Sequence, residues 1–389
     1  MPQSDVQNTT YDYIITGAGC AGLSLLLRMQ QDDFFRKKKI LLLDIDEKKK
    51  NDRTWCFWET TPGLFQPIVY KEWRQIDFYG QSYSGRFDIA PYLYKMIRGS
   101  DLYHFVFSQL ASWKNVVFKQ EKAEHVFTEN NRGYVKTDTS VYNAEYVFNS
   151  ILFQPQLLQA EGSLLQHFKG WMISTPEDAF NASVATFMDF RLRPAAENTF
   201  VYVLPLNSRK ALVEYTVFSP ALLSDEMYTN GLKTYIRQYL EVDNYVVEEE
   251  EFGLIPMSTY TFPQTESAIV NIGTAGGQTK GSSGYTFQFI QKHSAAITQA
   301  LLCGEHPAAK RSFFDKRFAV YDHTMLRVLY TGKLTASQIF GDLFKRNKPQ
   351  LLFKFLDNET NIKEEVKIMN SVPSRIFLPA ALQGMFQNM

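Results

Sequence analysis

Three glycines introduce the first recognisable chemistry of the chain. Gly17, Gly19 and Gly22 follow the β-rich run Tyr13 to Thr16 and lead into Leu23 to Met29, a string of good helix formers. Glycines at this spacing between a strand and a helix suit a dinucleotide. The first permits a tight turn, the second lets a pyrophosphate approach the main chain, and the third lets helix pack closely on strand. The helix N-terminus adds unpaired N–H groups and the positive end of its dipole. Asp44 stands 22 residues after Gly22, at the end of the apolar run Ile40 to Leu43, where a carboxylate accepts from ribose hydroxyls. Arg53 comes next, its guanidinium suited either to the pyrophosphate or to a surface ion pair. Much later, Gly273, Gly276 and Gly277 follow the strand-like run Ala268 to Ile272 and bring backbone N–H groups towards the same ligand. NAD and FAD both use such a unit. The early loop, the long mixed insertion and the late glycine-rich strand end favour FAD.

The elements that must position these residues are of two kinds. Residues up to 46 read as one βαβ unit, and Val116 to Phe118, His125 to Thr128, Gly133 to Thr137 and Tyr142 to Asn149 alternate with period two, as in a small meander. From Trp171 to Phe218 the β signal dominates again, in Ala185 to Arg191, Thr199 to Leu204 and Lys210 to Thr216. Pro91 to Ile97 followed by Leu102 to Ala111 predicts a helical stretch broken at Gly99. Leu232 to Leu240 predicts a helix, Tyr245 to Phe252 a strand with Glu248 to Glu251 as its solvated edge, and the tail from Phe287 is mainly helical. The expected fold class is mixed α/β. A discontinuous Rossmann-like FAD-binding domain takes 1–60, 100–155 and 255–300, an antiparallel-sheet substrate domain takes 61–99 and 156–254, and a helical region takes 301–389.

Composition narrows the function classes. Lys plus Arg and Asp plus Glu both total 41 in 389 residues, so no overall field draws nucleic acid or acidic lipid. Cys20, Cys56 and Cys303 lack a zinc-like spacing, so no metal site is expected, and an odd thiol count fits a reducing compartment. With neither a signal-peptide pattern nor a spanning apolar run, the expected location is cytoplasmic, with peripheral membrane attachment left open. The 31 Phe, 21 Tyr and 5 Trp are an excess that asks for a reason.

Taken in order, Gly17 to Gly22, Asn51-Asp-Arg-Thr-Trp-Cys-Phe-Trp-Glu59, Leu204-Pro-Leu-Asn-Ser-Arg-Lys-Ala-Leu-Val-Glu-Tyr-Thr216, Gly253-Leu-Ile-Pro256 and Gly273 to Gly277 with Gly284-Tyr285 resemble the lycopene cyclase family, the bacterial β-cyclases most closely. The resemblance implies a flavoprotein built like the aromatic hydroxylases. Its substrates would be lycopene and then monocyclic γ-carotene, converted into β-carotene, with reduced FAD as cofactor and NAD(P)H as reductant. So insoluble a substrate implies peripheral association with the membrane surface, with Leu351 to Leu356 and Ile376 to Met389 as candidate segments. It implies Glu214 as proton donor, Arg53 near FAD, and Trp55 and Trp58 near the cofactor or the substrate channel. One departure stands out: Gly273 to Gly277 lacks the acidic residue that many flavin hydroxylases carry after the corresponding glycine.

The chemistry implied is an isomerisation. A proton reaches an alkene carbon, a tertiary cation forms, a neighbouring double bond attacks, and a proton leaves. A glutamic acid donates only if an apolar surrounding keeps it protonated near neutrality. Glu214 lies among Leu212, Val213 and Tyr215, and in a strand it shares a face with Leu212 and Thr216. Glu59, beside Trp58, is the second carboxylate considered for moving the proton. Aromatic faces stabilise a passing cation, which gives Trp55, Trp58, Tyr215 and Tyr285 a role along the substrate channel. A flavin monooxygenase or prenyl reductase would share the nucleotide fingerprint, and a carotenoid carrier would share the aromatics.

Overall fold

The computed structural model describes residues 9–387 apart from 160, 193–197, 259, 261, 263–266 and 309–312. Strand β1 (Thr9–Thr16) runs through the glycine turn into α1 (Cys20–Met29). After the short α2 (Asp33–Arg36) the chain returns as β2 (Ile40–Asp44), parallel to β1 and buried at every residue. Unbroken burial is what a parallel strand covered on both faces requires, and it accounts for the run Ile40 to Leu43. The chain then leaves this layer through β3 (Thr54–Glu59), β4 (Lys71–Trp73), β5 (Gln75–Tyr79), β6 (Ser84–Asp88) and β7 (Leu93–Arg98). Helix α3 (Gly99–Leu110) leads back to β8 (Val116–Gln120), which pairs parallel to β2. The meander β9 (Ala123–Glu129), β10 (Arg132–Thr137) and β11 (Val141–Asn149) then sets β11 parallel to β1.

A second sheet follows, from β12 (Leu164–Ser174), β13 (Val184–Asp189), β14 (Thr199–Pro205), β15 (Lys210–Ser219) and, after α4 (Asp225–Tyr239), β16 (Val246–Met257). Its order is β16-β12-β15-β14-β13-β5-β6. The odd-numbered side chains of β15, Val213, Tyr215 and Val217, meet Tyr228, Leu232, Tyr235 and Ile236 of α4. The even-numbered face looks towards a three-stranded sheet, β3-β7-β4, so that Trp58, Trp73, Tyr94 and Met96 share a core with Met172, Phe187, Tyr202 and Leu212.

Strand β17 (Ile269–Asn271) rejoins the first sheet beside the end of β11 and turns at Gly273 into α5 (Phe287–Leu302). Helix α5 lies along α1, where Gln291 Nε2 donates to Ser24 Oγ at 2.9 Å and Arg28 Nε to Ser294 Oγ at 3.2 Å. The tail forms α6 (Phe313–Tyr330), α7 (Ala336–Arg346), α8 (Pro349–Leu356), α9 (Ile362–Met369) and α10 (Ser374–Gln387). Capping boxes start α7 at Thr335 and α9 at Asn361. Phe340 and Phe344 of α7 and Leu352 and Phe353 of α8 close the core around Trp58.

The expected mixed α/β class is what the chain adopts, with differences in detail. Residues 93–98 form a strand, not a helix: β7 is the middle strand of its sheet and Tyr94 to Ile97 are all buried, so no alternation marks it. Gly99 begins α3 instead of breaking a helix, its N–H donating to the Arg53 carbonyl at 2.7 Å. Strand β3 pairs antiparallel with β7 in the three-stranded sheet. Helix α4 starts at Asp225, capped by Ser224, earlier than its apolar residues indicate.

Candidate active site

The nucleotide loop uses its three glycines for different reasons. Gly17 has φ +93°, and a Cβ on it would stand 2.1 Å from Ser150 Oγ. A Cβ on Gly22 would stand 2.0 Å from the Gly17 carbonyl oxygen, so the helix could not pack on the turn. Gly19 has open space where its side chain would be, and it forms the N-cap of α1 with no capping side chain and no acidic residue in the first turn. Free N–H groups beside open space are what a pyrophosphate needs. Asp44 is buried and fixes the loop, accepting from the Ala18 N–H at 2.6 Å and the Asp46 N–H at 2.8 Å, with Lys48 Nζ at 3.4 Å.

Of the two readings made of Arg53, the ion pair is present. Its Nε donates to Asp52 at 3.0 Å, an exposed pair, and its charge also reaches Cys20 at the start of α1. Burial pushes the Cys20 thiol up to about 12, with Ser24 and Arg53 pulling the other way. Gly273 has φ +62° and packs against Ala21 of α1, where a Cβ would come within 2.9 Å of the Ala21 Cβ. Gly277, at φ +77°, closes the turn, and Gly276 is required by the Asn271 carbonyl, 2.2 Å from where its Cβ would stand. The late glycine turn is therefore seated on the early one, although local backbone geometry alone explains Gly276 and Gly277.

The second cluster is a row across four strands. On the even-numbered face, Tyr202 of β14, Glu214 of β15, Gly170 of β12 and Glu251 of β16 stand side by side in register. The Thr216 hydroxyl donates to Glu214 Oε1 at 2.8 Å, and the Thr54 hydroxyl donates to Glu251 Oε2 at 2.8 Å. Thr54, Cys56 and Trp58 are alternate residues of β3, which lies over the row. Glu214 is half-buried on this face. Its pKa is raised well above the ordinary carboxyl range, first by burial and then by Glu251, with Thr216 opposing. Glu251 is raised too, chiefly by burial, with the Thr54 hydrogen bond opposing.

Aromatic rings gather at the Tyr202–Glu214 end of this row. Tyr202 and Tyr285 bring their hydroxyls to 3.4 Å, and Tyr285 meets Trp58 edge-on with centroids 4.6 Å apart. Trp58 stacks on Phe353 at 4.6 Å and donates its Nε1–H to Asp357 Oδ2 at 2.7 Å. Burial raises Asp357 to about 7. Such a chamber keeps a carboxyl protonated and offers ring faces to a cation.

Among the residues singled out from sequence, Glu214, Trp58 and Tyr285 come together. Tyr215 does not: strand alternation turns it to the opposite face, where it packs against Gly231 and Tyr228 of α4. Glu59 is also turned away. Trp58 and Glu59 are neighbours in β3, so they face opposite sides, and Glu59 is held by the buried Lys95 ammonium at 2.8 Å. Trp55 faces the nucleotide half, 6.4 Å from Phe287 and under the Arg53 guanidinium. Sequence reading missed Glu251, Gly170, Thr54, Cys56 and Tyr202. Glu251 belongs to the run read as a solvated edge, and Glu248, Glu249 and Glu250 are indeed exposed while Glu251 turns inwards. Among the described residues no cluster of His, Cys, Asp and Glu suits a metal ion.

Comparison with known proteins now bears on this geometry. A family model described as lycopene cyclase protein matches residues 12–381. A search of curated proteins by sequence finds no match. Solved structures share the fold at low identity. A flavoprotein/dehydrogenase from Cytophaga hutchinsonii is 10% identical, with 98% of this chain and 100% of that one covered and a TM-score of 0.62. A geranylgeranyl bacteriochlorophyll reductase-like protein from Thermoplasma acidophilum is 12% identical, with 97% and 96% covered and a TM-score of 0.57. A p-nitrophenol 4-monooxygenase from Pseudomonas putida is 11% identical, with 96% and 98% covered and a TM-score of 0.57.

Proposed function

The chain belongs to the lycopene cyclase family, and on that premise we propose that it is a lycopene β-cyclase, closing the end groups of lycopene to β-ionone rings by way of γ-carotene. The observation that carries this reading is Glu214: a carboxyl set beside Tyr202 and Tyr285, its pKa raised by burial and by Glu251, with no cation bonded to it among the described contacts. Glu214 donates its proton to the terminal double bond. Trp58, Tyr202 and Tyr285 exclude water and turn their rings to the cation that forms. No atom is oxidised in the net reaction.

FAD is the cofactor we assign. The open space at Gly19, the uncapped start of α1 and the late turn on Ala21 fit its pyrophosphate, and Asp44 and Arg53 flank that position. Reduced FAD would supply negative charge that favours the cation, and NAD(P)H would serve as a reductant in catalytic amounts. Gly19→Val protein should purify without flavin, because the added side chain would occupy the free space.

The polyene substrate implies a peripheral membrane site on a cytoplasmic surface. No helix among the described residues is long and apolar enough to cross a membrane. Exposed Ile362, Val366 and Met369 on α9 and Leu378 and Leu382 on α10 support this attachment. Leu351 to Leu356, a segment considered from sequence for the same role, does not: Leu352 and Phe353 are core residues. The segment Ile376 to Met389 contributes its exposed leucines, and residues 388–389 lie outside the described residues. The deciding experiment is product analysis by chromatography and mass in a host that accumulates lycopene. An isomer carrying β rings supports the proposal, and a product with added oxygen or hydrogen overturns it.

A further inference from the structure

Glu251 is unassigned by the family resemblance, and its geometry is unusual for a strand-edge glutamate. It and Glu214 lie on strands either side of β12 and both stand opposite Gly170. Their Cα atoms are thus about two strand spacings apart, roughly 10 Å, which two glutamate side chains span only by leaning over the strand between them. Gly170 allows that. A Cβ there would stand 2.9 Å from Glu251 Cγ and 3.2 Å from Glu251 Oε1, so any other residue would push the Glu251 side chain away. Glu251 Oε2 accepts from Thr54, whereas Oε1 is buried and has no hydrogen-bond partner. A buried, unpartnered carboxyl oxygen is costly unless a proton or a second acid meets it.

We propose that Glu251 is the positioning partner of Glu214, the two carboxyls sharing one proton across Gly170 so that Glu214 enters the reaction as an acid. The charged and titratable groups around the pair favour this state. Glu214 faces Cys56 of β3, Tyr202 of β14 and Tyr285, none of them a cation. Glu251 faces Glu249, Asp52 and Cys56, together with Arg53, which is already bonded to Asp52. Lys169, on the central strand itself, points to the other face and binds Asp225. Two carboxylates so placed and without a cation of their own cannot both ionise readily, so one proton is retained. The proton balance closes. The O–H bond of Glu214 breaks as a C–H bond forms on the alkene, and the proton released from the ring carbon restores the pair.

This role rests on the cyclase reading, but it is tested without turnover. Infrared titration of the purified full chain follows the protonated-carboxyl component that disappears in Glu214→Gln, which separates it from Asp357. In the wild type this component should persist at neutral pH. In Glu251→Gln, and independently in Gly170→Ala, its midpoint should fall by about one pH unit or more. In the lycopene assay the alkaline limb of the Glu251→Gln rate profile should move down by the same shift, with flavin content unchanged. A component absent from the wild type at neutral pH, or an unshifted midpoint in both variants, overturns the pairing. The expected titration together with an absence of ring formation sustains the pairing and sinks the cyclase reading instead.

Discussion

The two faces of the β12–β15 strands bury polar groups in opposite ways. Towards α4, the buried ionisable groups have their partners, although the Trp171 Nε1–H has none: His167 lies between the Tyr228 hydroxyl at 2.6 Å and Ser219 Oγ at 2.8 Å, and Asp189 binds Arg191 at 2.6 Å and the Tyr235 hydroxyl at 2.7 Å. Towards β3, Glu214 has the Thr216 hydroxyl, Glu251 leaves one oxygen unmatched, and no cation is bonded to either carboxyl among the described contacts. The same strands supply both faces, separated only by alternation. A fully matched network stabilises a fold, whereas carboxyls left without counter-charge keep a proton to give. On the proposed function, the contrast gives the α4 face a structural part and the β3 face the chemistry.

The largest expected effect breaks the β3 face alone. Glu214→Gln keeps size and hydrogen bonding but carries no transferable proton. Ring formation should fall by about a hundredfold or more while flavin content is retained. Product yield per flavin measures it, and near-normal yield would remove Glu214 from the chemistry. On the α4 face, His167→Ala leaves the buried Tyr228 hydroxyl short of a partner. It should cost about 1–3 kcal/mol of stability, read from the denaturant midpoint, while yield per folded molecule stays the same. A loss of yield with no loss of stability would reverse the assignment of the two faces.

The smallest effect is on pH dependence, and it has opposite sign on the two faces. Native Glu214 keeps a proton that the unfolded chain releases near its ordinary value of 4.5. Its contribution to stability therefore falls as pH rises from there through the raised native value. Burial lowers the pKa of His167 from its ordinary 6.5, so its contribution is lost as pH falls below that value. Melting temperatures of Glu214→Gln should decline less than those of the wild type on the alkaline side, and those of His167→Gln less on the acid side. Parallel curves for wild type and both variants would contradict the account.

The nucleotide loop was legible in sequence because its requirements are local: three glycines, a strand and a helix within a few residues. The even-numbered face of β15 was legible for the same reason, since alternation alone puts Glu214 with Leu212 and Thr216. Tyr215 was misassigned because its aromatic character outweighed that same alternation. Glu251 was hidden by three neighbouring glutamates, which erase the polar–apolar contrast that marks an inward position. Gly170 carried no signal at all. Its meaning depends on pairing β12 with β15 and β16 across 44 and 81 residues, and only the assembled sheet brings those strands together. Glu59, the secondary candidate, could not be set aside from sequence because its partner, the Lys95 ammonium, lies on a strand misread as helix.

The most direct test of Glu214 as an acid in a reaction without net oxidation is anaerobic turnover of lycopene in heavy water, with reduced flavin and measured NAD(P)H. The wild type should give a product that gains one solvent deuterium in each new ring and no oxygen, without stoichiometric consumption of NAD(P)H. The Glu214→Gln protein, flavin bound, should give almost none. Rings formed without solvent deuterium, or one NAD(P)H consumed per ring, would contradict it.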